Sequence, residues 1–480
     1  MTKTFSLVHL LLLVCSLHVL AMLLTWPAVL TITDEYSYVE AARGFAAGRL
    51  TSTIIDIDTF RRVATHPSNY PAGTSLVQAL CIMVAGWRGV FAVSLLGFVA
   101  MIWGCWALLR ALGRDPRWTL LLFVFPPLVV LSRTAMSDTV NAALVCGALA
   151  FFVRGREGPA WRWWLAGVLA GLILVFREAS VLVVAPFFVG ALVRRDPGVH
   201  RLVLGGLLGA GVRLISAQVL YHNPLFRHPG YGGFGLGNLV HNLPFYLVLT
   251  LVVVPFGLVA LLRYRGWRWP ELLAAALSYT LLHAAYFYGA SEGGGPNAIV
   301  IGGRYLLPVI PLYIVAIAAA VEQLEARWDT PRSGYQRLLA HRQGLLGSAA
   351  LLSVAVHPAM AVWSHTQEVH ANSLCEYVPA DARLVANTSV LAKAMLPVRC
   401  ERARADFKSL PAGYLARWSR DSRPLFIAIA TRTDSEAYMA ATVEAKQWLA
   451  TEVGAAHLRL VHEDLDIRQP LQIWQVTGPL

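Results

Sequence analysis

Residues 6–28, SLVHLLLLVCSLHVLAMLLTWPA, decide the fold of this chain. The stretch contains no Asp, Glu, Lys or Arg, and about 20 apolar residues are enough for a helix to cross the hydrocarbon core of a bilayer. The run is longer than the apolar part of a signal peptide and lacks an obvious cleavage signal. We therefore expect an uncleaved membrane-spanning helix near the N-terminus.

The composition extends this expectation to most of the chain. Of 480 residues, 56% are hydrophobic and only 14% are charged, whereas an ordinary soluble domain has about 25% charged residues. This excludes a soluble enzyme, a disordered chain and a disulfide-built secreted scaffold. The apolar runs predict an α-helical polytopic membrane protein with about eleven spans, at 6–28, 89–109, 117–133, 136–153, 161–177, 179–193, 201–220, 243–262, 270–288, 304–321 and 344–363.

The formal net charge of +12 is a topology signal. Residues 364–480 contain 13 basic and 13 acidic residues, so the whole excess lies in residues 1–363. With the N-terminus inside, 17 basic residues fall in inner loops and nine on the outer side, as the positive-inside rule requires. This assignment treats 31–88 as one outer segment with an interface-lying or re-entrant part at 72–86. No nucleic-acid partner is implied.

The two parts of the chain differ in character. Residues 1–363 form the predicted membrane domain, and 364–480 read as a small extracytoplasmic α/β domain. Its predicted elements are strands at 383–387, 424–430, 457–462 and 471–476 and a helix at 434–453. Cys375 and Cys400 are either joined in an oxidising compartment or remain free thiols.

Residues 33–49, TDEYSYVEAARGFAAGR, directly follow the first span and form the most informative polar stretch. One interpretation is structural: Thr33 or Asp34 caps an amphipathic interfacial helix. The other interpretation is catalytic, with acidic side chains at the outer membrane surface.

Several motifs together carry a resemblance. The order is Asp34-Glu35-x-x-Tyr with Ala-Arg shortly after, a Tyr-Pro-x-Gly element at 70–73, and Arg-Tyr-Leu-Leu-Pro-x-x-Pro at 304–311. This order resembles the GT-C superfamily of polyprenyl-phosphate-sugar-dependent glycosyltransferases, especially bacterial members related to protein O-mannosyltransferases and aminoarabinose transferases. Where aminoarabinose transferases commonly show Lys-Pro-Pro, this chain has His-Pro-Ser at 66–68.

The resemblance implies an inverting transfer at the outer face of the bacterial cytoplasmic membrane, with a polyprenyl-phosphate sugar as donor and a glycan, lipid or protein as acceptor. It implies Asp34 as general base, with Glu35 orienting the acceptor or a metal. A guanidinium suits the leaving phosphate. The residues expected at the substrate are Arg304, Tyr305, His66, Tyr70 and Arg213. For Arg213, within a predicted span, a structural ion pair is an equal alternative.

Other charged residues have weaker assignments. Asp56 and Asp58 are candidate ligands for a divalent metal or simply solvated loop charges. The Arg177-Glu178 and Arg133/Asp138 turns read as ordinary turn charges. Two rival functions remain open: a transporter or flippase of a lipid-linked saccharide, which internal repeats would favour, and a non-catalytic envelope assembly protein.

Overall fold

A computed structural model of the chain describes nine stretches of residues, 2–64, 70–225, 233–286, 296–326, 342–387, 400–411, 413–431, 436–465 and 469–480. Contacts divide the chain into two units. The first unit contains residues 1–26, 69–78 and 90–358, and the second contains residues 27–68, 79–89 and 359–480. The prediction that 1–363 form the membrane domain stays a prediction.

Helices dominate the described residues of the chain. In chain order they are α1 (Thr2–Leu24), α2 (Thr33–Ala46), α3 (Ala72–Ala85), α4 (Val90–Ala111), α5 (Leu121–Val124), α6 (Pro126–Leu131), α7 (Asp138–Gly155), α8 (Trp161–Phe176), α9 (Val181–Val193), α10 (Val199–Tyr221), α11 (Asn238–Val253), α12 (Gly257–Arg263), α13 (Trp269–Ala284), α14 (Pro296–Gly303), α15 (Ile310–Ala326), α16 (Arg342–Leu352), α17 (Val356–Tyr377), α18 (Tyr414–Ser419) and α19 (Glu436–Glu452).

Within the described residues, four helices are long and apolar enough to cross a membrane: Trp87–Ala111, Asp138–Gly155, Val199–Tyr221 and Gly344–Tyr377. A fifth candidate is the pair α11 and α12, which is bent by 99°. Shorter apolar helices include α3, which at 14 residues is about 21 Å long, less than a hydrocarbon core of about 30 Å. The count of eleven spans stays a prediction.

The predicted span at 117–133 is not one continuous helix. The stretch consists of a 3-10 helix at Pro116–Leu120, α5 and α6. Phe125 between α5 and α6 is extended, with φ −83° and ψ 99°. The cause is Pro126, because a proline disfavours the helical conformation of the residue before it.

Small residues let α8 and α10 pack closely in the first unit. A Cβ on Gly167 would lie 2.2 Å from the carbonyl oxygen of Leu202, and one on Gly171 would lie 2.3 Å from that of Gly206. Such small-residue spacing is typical of helix pairs in membranes, where association depends on van der Waals packing. This packing fixes the end of α8, from which the next turn begins.

The second unit contains two sheets. The short strands β1 (Thr53–Ile55) and β2 (Arg62–Ala64) pair antiparallel. The remaining strands are β3 (Arg383–Ala386), β4 (Ala403–Asp406), β5 (Leu425–Ala430), β6 (Leu458–Asp464) and β7 (Leu471–Val476). They form one mixed sheet in the order β4-β3-β5-β7-β6, with β3 parallel to β4 and β5, and β7 antiparallel to β5 and β6.

Alternating residues of this sheet build two cores. Leu384 packs with Leu374 of α17 on one face, and Val385 packs with Trp418 of α18 and Leu449 of α19 on the other. The predicted α/β fold and its four strands are therefore confirmed. The sequence did not predict β4, whose residues, Ala-Arg-Ala-Asp, have low strand propensity.

Cys375 at the end of α17 forms a disulfide with Cys400, with 5.5 Å between their Cα atoms. The helix that carries Cys375 continues to Tyr377, beyond residue 363, where the sequence suggested that the last span ends. The bridge ties the chain leading into β4 to the end of α17.

Candidate functional site

Arg304 and Tyr305 lie at a break between two helices of the first unit. α14 ends at Gly303, a 3-10 turn covers Arg304–Leu306, and α15 starts only at Ile310. Pro308 lies within the break, where its missing amide and fixed ring prevent a continuous helix. Both side chains are buried, each 7% exposed.

The Tyr305 ring contacts two arginines. Arg304 donates a hydrogen bond of 2.7 Å from Nη2 to the Tyr305 hydroxyl, and its Cζ lies 4.8 Å from the ring centroid. The Cζ of Arg177, which follows the last residue of α8, lies 5.1 Å from the same centroid. The quadrupole of a tyrosine ring attracts cations. Tyr305 therefore brings two guanidinium groups close together.

Arg177 is held by a carboxylate at the start of α7. Its Nη1 donates to Oδ1 of Asp138, which is 2% exposed. We call Asp138, Arg177, Arg304 and Tyr305 the two-arginine cluster. The sequence suggested only turn charges for Arg177 and Asp138, and their spacing of 39 residues gives no local signal for the pair.

Polar side chains continue from this cluster. The His283 ring lies 4.9 Å from Tyr305 and 4.4 Å from Tyr279, and the Tyr279 hydroxyl lies 3.4 Å from Ser180 Oγ, which accepts a bond of 2.6 Å from Asn141. Among the described residues, polar atoms that are buried here without a hydrogen-bond partner include Asp138 Oδ2, Asn141 Oδ1 and Tyr246 Oη. Such atoms cost free energy unless a ligand or water pairs them.

Two further predicted binding residues, Arg213 and Tyr70, belong to the first unit. Arg213 donates from Nε to Oε1 of Glu178 at 2.8 Å, so its contacts favour the structural ion pair. The backbone oxygen of Tyr70 accepts a bond of 3.4 Å from the Tyr221 hydroxyl. His66 lies outside the described residues.

The Asp-Glu pair lies in the first turn of α2, in the second unit. Glu35 is fully buried, and its Oε1 accepts from the amide of Ile32 at 2.7 Å and from the amide and hydroxyl of Thr31 at 2.8 and 3.0 Å. Asp34 is half-buried. The predicted cap by Thr33 or Asp34 is wrong, because Ile32 is the N-cap residue and the carboxylate of Glu35 caps its amide.

The possible metal ligands of the outer segment are used for structure. Asp56 Oδ1 accepts from the amide and hydroxyl of Thr59, both at 2.7 Å, which lowers the pKa of this exposed carboxyl. Asp58 Oδ1 accepts from Trp418 Nε1 at 2.7 Å and from Arg417. Within the described residues no group of three or more His, Cys, Asp or Glu is placed to hold a metal ion. The pair therefore does not fit a divalent ion.

Solved structures with a similar fold cover almost the whole chain. ArnT from Cupriavidus metallidurans bound to undecaprenyl phosphate matches with a TM-score of 0.61 and 14% identity over 98% of this chain and 99% of that chain. Its apo state matches with the same TM-score and identity over 100% of both chains. The apo oligosaccharyltransferase of Archaeoglobus fulgidus matches with a TM-score of 0.50 and 12% identity over 92% of this chain and 72% of that chain.

No protein-family model and no curated protein matches this chain. The structural likeness, at 12–14% identity, establishes the fold. The chain has the GT-C fold of a multi-pass membrane protein with a C-terminal α/β domain, and the predicted fold class is confirmed.

Proposed function

Because the chain has the GT-C fold along its whole length, we propose that it is an inverting glycosyltransferase using a polyprenyl-phosphate sugar. The likeness to ArnT, whose structure holds undecaprenyl phosphate, supports this donor class. The acceptor is a glycan, lipid or protein. We place the reaction at the outer face of the bacterial cytoplasmic membrane, with the N-terminus in the cytoplasm and residues 364–480 outside, as the charge asymmetry favours.

The two-arginine cluster is the observation that carries the proposal. Two guanidinium groups on one buried tyrosine ring suit the phosphate of a lipid donor, because the planar guanidinium fork matches phosphate oxygens. Arg304 binds the phosphate in this proposal, and Tyr305 orients it. Asp138 Oδ2 and Asn141 Oδ1, which are buried without a partner among the described residues, are acceptors suited to the hydroxyl groups of a sugar. Tyr70 and His66 remain proposed donor contacts.

The chemistry is a single displacement. An acceptor oxygen or nitrogen forms a bond to the anomeric carbon while the bond from that carbon to the phosphate oxygen breaks. The lipid phosphate leaves with the bonding electron pair, and the configuration at the carbon inverts. We assign the removal of the acceptor proton to the carboxylate of Asp34, a step worth about 10²- to 10⁴-fold in rate. The positive charge of the guanidinium groups stabilises the negative charge that develops on the leaving phosphate in the transition state.

The experiment compares envelope glycans and glycolipids by mass spectrometry in a deletion strain complemented with wild type or with Asp34→Asn. We expect one sugar to be missing in the deletion strain, restored by wild type and not by Asp34→Asn at equal protein level. Asp381→Asn, at an exposed carboxylate of the C-terminal domain, is the matched control and restores the sugar. Full restoration of the sugar by Asp34→Asn overturns the catalytic assignment of Asp34. A deletion strain whose envelope glycans and glycolipids are unchanged overturns the proposal that the protein is a glycosyltransferase.

A further inference from the structure

The C-terminal residues of the second unit contact its outer segment at several separate points. Arg383 Nε donates to the backbone oxygen of Ile57 at 3.0 Å. The side chain of Arg62 on β2 bonds Glu401 at 2.6 Å. Asp58 accepts from Trp418 and Arg417, as described above. The β1–β2 hairpin is therefore fixed to the C-terminal sheet rather than being a separate loop.

A further contact joins β4 to α2. Arg404 donates from Nη2 to the hydroxyl of Tyr36 at 2.5 Å, and its Cζ lies 5.4 Å from the centroid of the Tyr36 ring. One turn later on the same face of α2, Glu40 is 6% exposed and accepts from Arg43 at 3.2 Å. Burial raises the pKa of the Glu40 carboxyl, and the charges of Arg43 and Arg404 oppose this effect.

Several contacts hold the strand that carries Arg404 in place. Cys400 is bonded to Cys375, and Arg402 donates from Nε to the backbone oxygen of Val378 at 2.9 Å. Strand β4 itself pairs with β3, with Arg404 opposite Leu384. Since a guanidinium positions its partner only as well as its own backbone is held, these contacts make Arg404 a fixed point.

The geometry of α2 relates the position of Arg404 to that of Asp34. A helix turns by about 100° per residue, so Asp34 lies about 200° around the axis from Tyr36, on roughly the opposite side. Arg404 therefore contacts the face of α2 that lies opposite Asp34. A carboxylate that must act as a base depends on position, and a displacement of about 1 Å is able to cost about 100-fold in rate.

We propose that Arg404 is a positioning residue for sugar transfer: through Tyr36 it holds α2 where Asp34 acts, which makes the C-terminal domain part of the catalytic unit. This inference rests on the proposed function. It assigns the domain a task other than recruiting partners, and it requires no contact of Arg404 with the substrate.

The test measures kcat and KM for the lipid donor with the full chain in detergent or nanodiscs, using a membrane extract from the deletion strain as the source of donor and acceptor. We expect Arg404→Met to lower kcat by about 10- to 100-fold with an unchanged donor KM, because Arg404 does not bind the phosphate. Arg404→Lys retains a cationic donor and recovers most of kcat. The matched control is Arg459→Met on β6, where Arg459 donates to Gln475, and it leaves both constants unchanged.

Tyr36→Phe removes only the hydroxyl that Arg404 contacts, so it keeps the inference testable if Arg404→Met fails to fold. We expect Tyr36→Phe to lower kcat, and the double variant to be no worse than Arg404→Met alone. Wild-type kcat in both single variants overturns the positioning role, as do losses that multiply in the double variant. If instead Asp34→Asn transfers sugar at the wild-type rate, the proposed function itself fails.

Discussion

The carboxylate of Glu35 accepts a hydrogen bond of 2.7 Å from the backbone amide of Ile32, three residues earlier in the chain. The second acid of the Asp-Glu pair therefore builds the start of the helix that carries the first. A helix leaves its first amide groups without intrahelical partners, and Glu35 satisfies the amides that precede this turn. The two neighbouring acids have different tasks, one structural and one proposed to be catalytic.

Removing the Glu35 carboxylate is expected to destabilise the protein. In Glu35→Ala the amides of Ile32 and Thr31 lose their acceptor, and a lost buried partner costs about 1–3 kcal/mol in the free energy of unfolding. Glu35→Gln keeps an acceptor oxygen at the same place and should lose less. The melting temperature of the purified protein measures both effects. An alanine variant as stable as wild type contradicts the capping role.

Breaking the Arg177–Asp138 pair is expected to cost more than a surface ion pair would. Asp138 is 2% exposed, and a buried pair that loses one member costs about 3–5 kcal/mol because the other charge is left without compensation. Asp138→Asn should therefore lower the melting temperature strongly. The double variant with Arg177→Gln should recover part of the stability, but not sugar transfer. Equal melting temperatures of the single and double variants contradict this coupling.

Replacing Arg304 by lysine tests the phosphate assignment. Lysine keeps the positive charge but loses the planar fork and its stacking on Tyr305, so Arg304→Lys should raise the donor KM by about tenfold or more. Tyr305→Phe keeps the ring beneath both guanidinium groups and removes only the hydroxyl, so its effect should be smaller. Arg263→Lys at the end of α12, where Arg263 is exposed, serves as control. A donor KM unchanged in Arg304→Lys excludes Arg304 as the phosphate ligand.

The sequence predicts local elements of this fold well and the site only in part. The four strands and the helix at Glu436–Glu452 follow from apolar periodicity, which is a local property. The residues of β4 are small or charged, so the sequence of this strand gives no signal that it pairs with β3. The interruption at Phe125 follows from Pro126, although apolar content alone suggests an unbroken span.

The residues of the site differ in the same way: some belong to a local sequence motif, and others come together only in the folded chain. Arg304 and Tyr305 form a local motif next to a proline, which the resemblance indicates. Arg177 and Asp138 come from turns 39 residues apart, and only the packing of their helices brings them together. Arg404 is 368 residues from Tyr36, so no spacing in one sequence could indicate their contact.

Glu40 predicts a dependence of stability on pH. Burial raises its pKa in the folded protein, so the folded state binds this proton more tightly than the unfolded state. Stability contributed by the protonated group is present below the unfolded pKa of about 4.3 and is lost as pH rises through the folded value. Glutamine stays neutral at every pH, so the Glu40→Gln variant does not lose this stability as pH rises. The change in melting temperature caused by Glu40→Gln should therefore be more favourable at pH 7 than at pH 4.

The control for this comparison is Glu452→Gln, because Glu452 is an exposed residue at the end of α19. Its effect on the melting temperature should differ little between the two pH values. A Glu40→Gln effect that is the same at both pH values, or more favourable at pH 4, contradicts the raised pKa.

The disulfide between Cys375 and Cys400 makes the proposed topology measurable. Disulfides persist in oxidising compartments, so residues 364–480 must face the outside if the bond forms in the cell. We expect a membrane-impermeant maleimide to label two cysteines of intact cells only after a membrane-impermeant reductant, and to label neither in Cys375→Ser/Cys400→Ser. An added cysteine at the exposed position Ala440 of α19 should be labelled without reductant. Closure of a loop with a sequence separation of 25 residues further predicts that the double serine variant loses about 3.5 kcal/mol of stability. Labelling that requires permeabilised cells would place this domain in the cytoplasm and refute the topology.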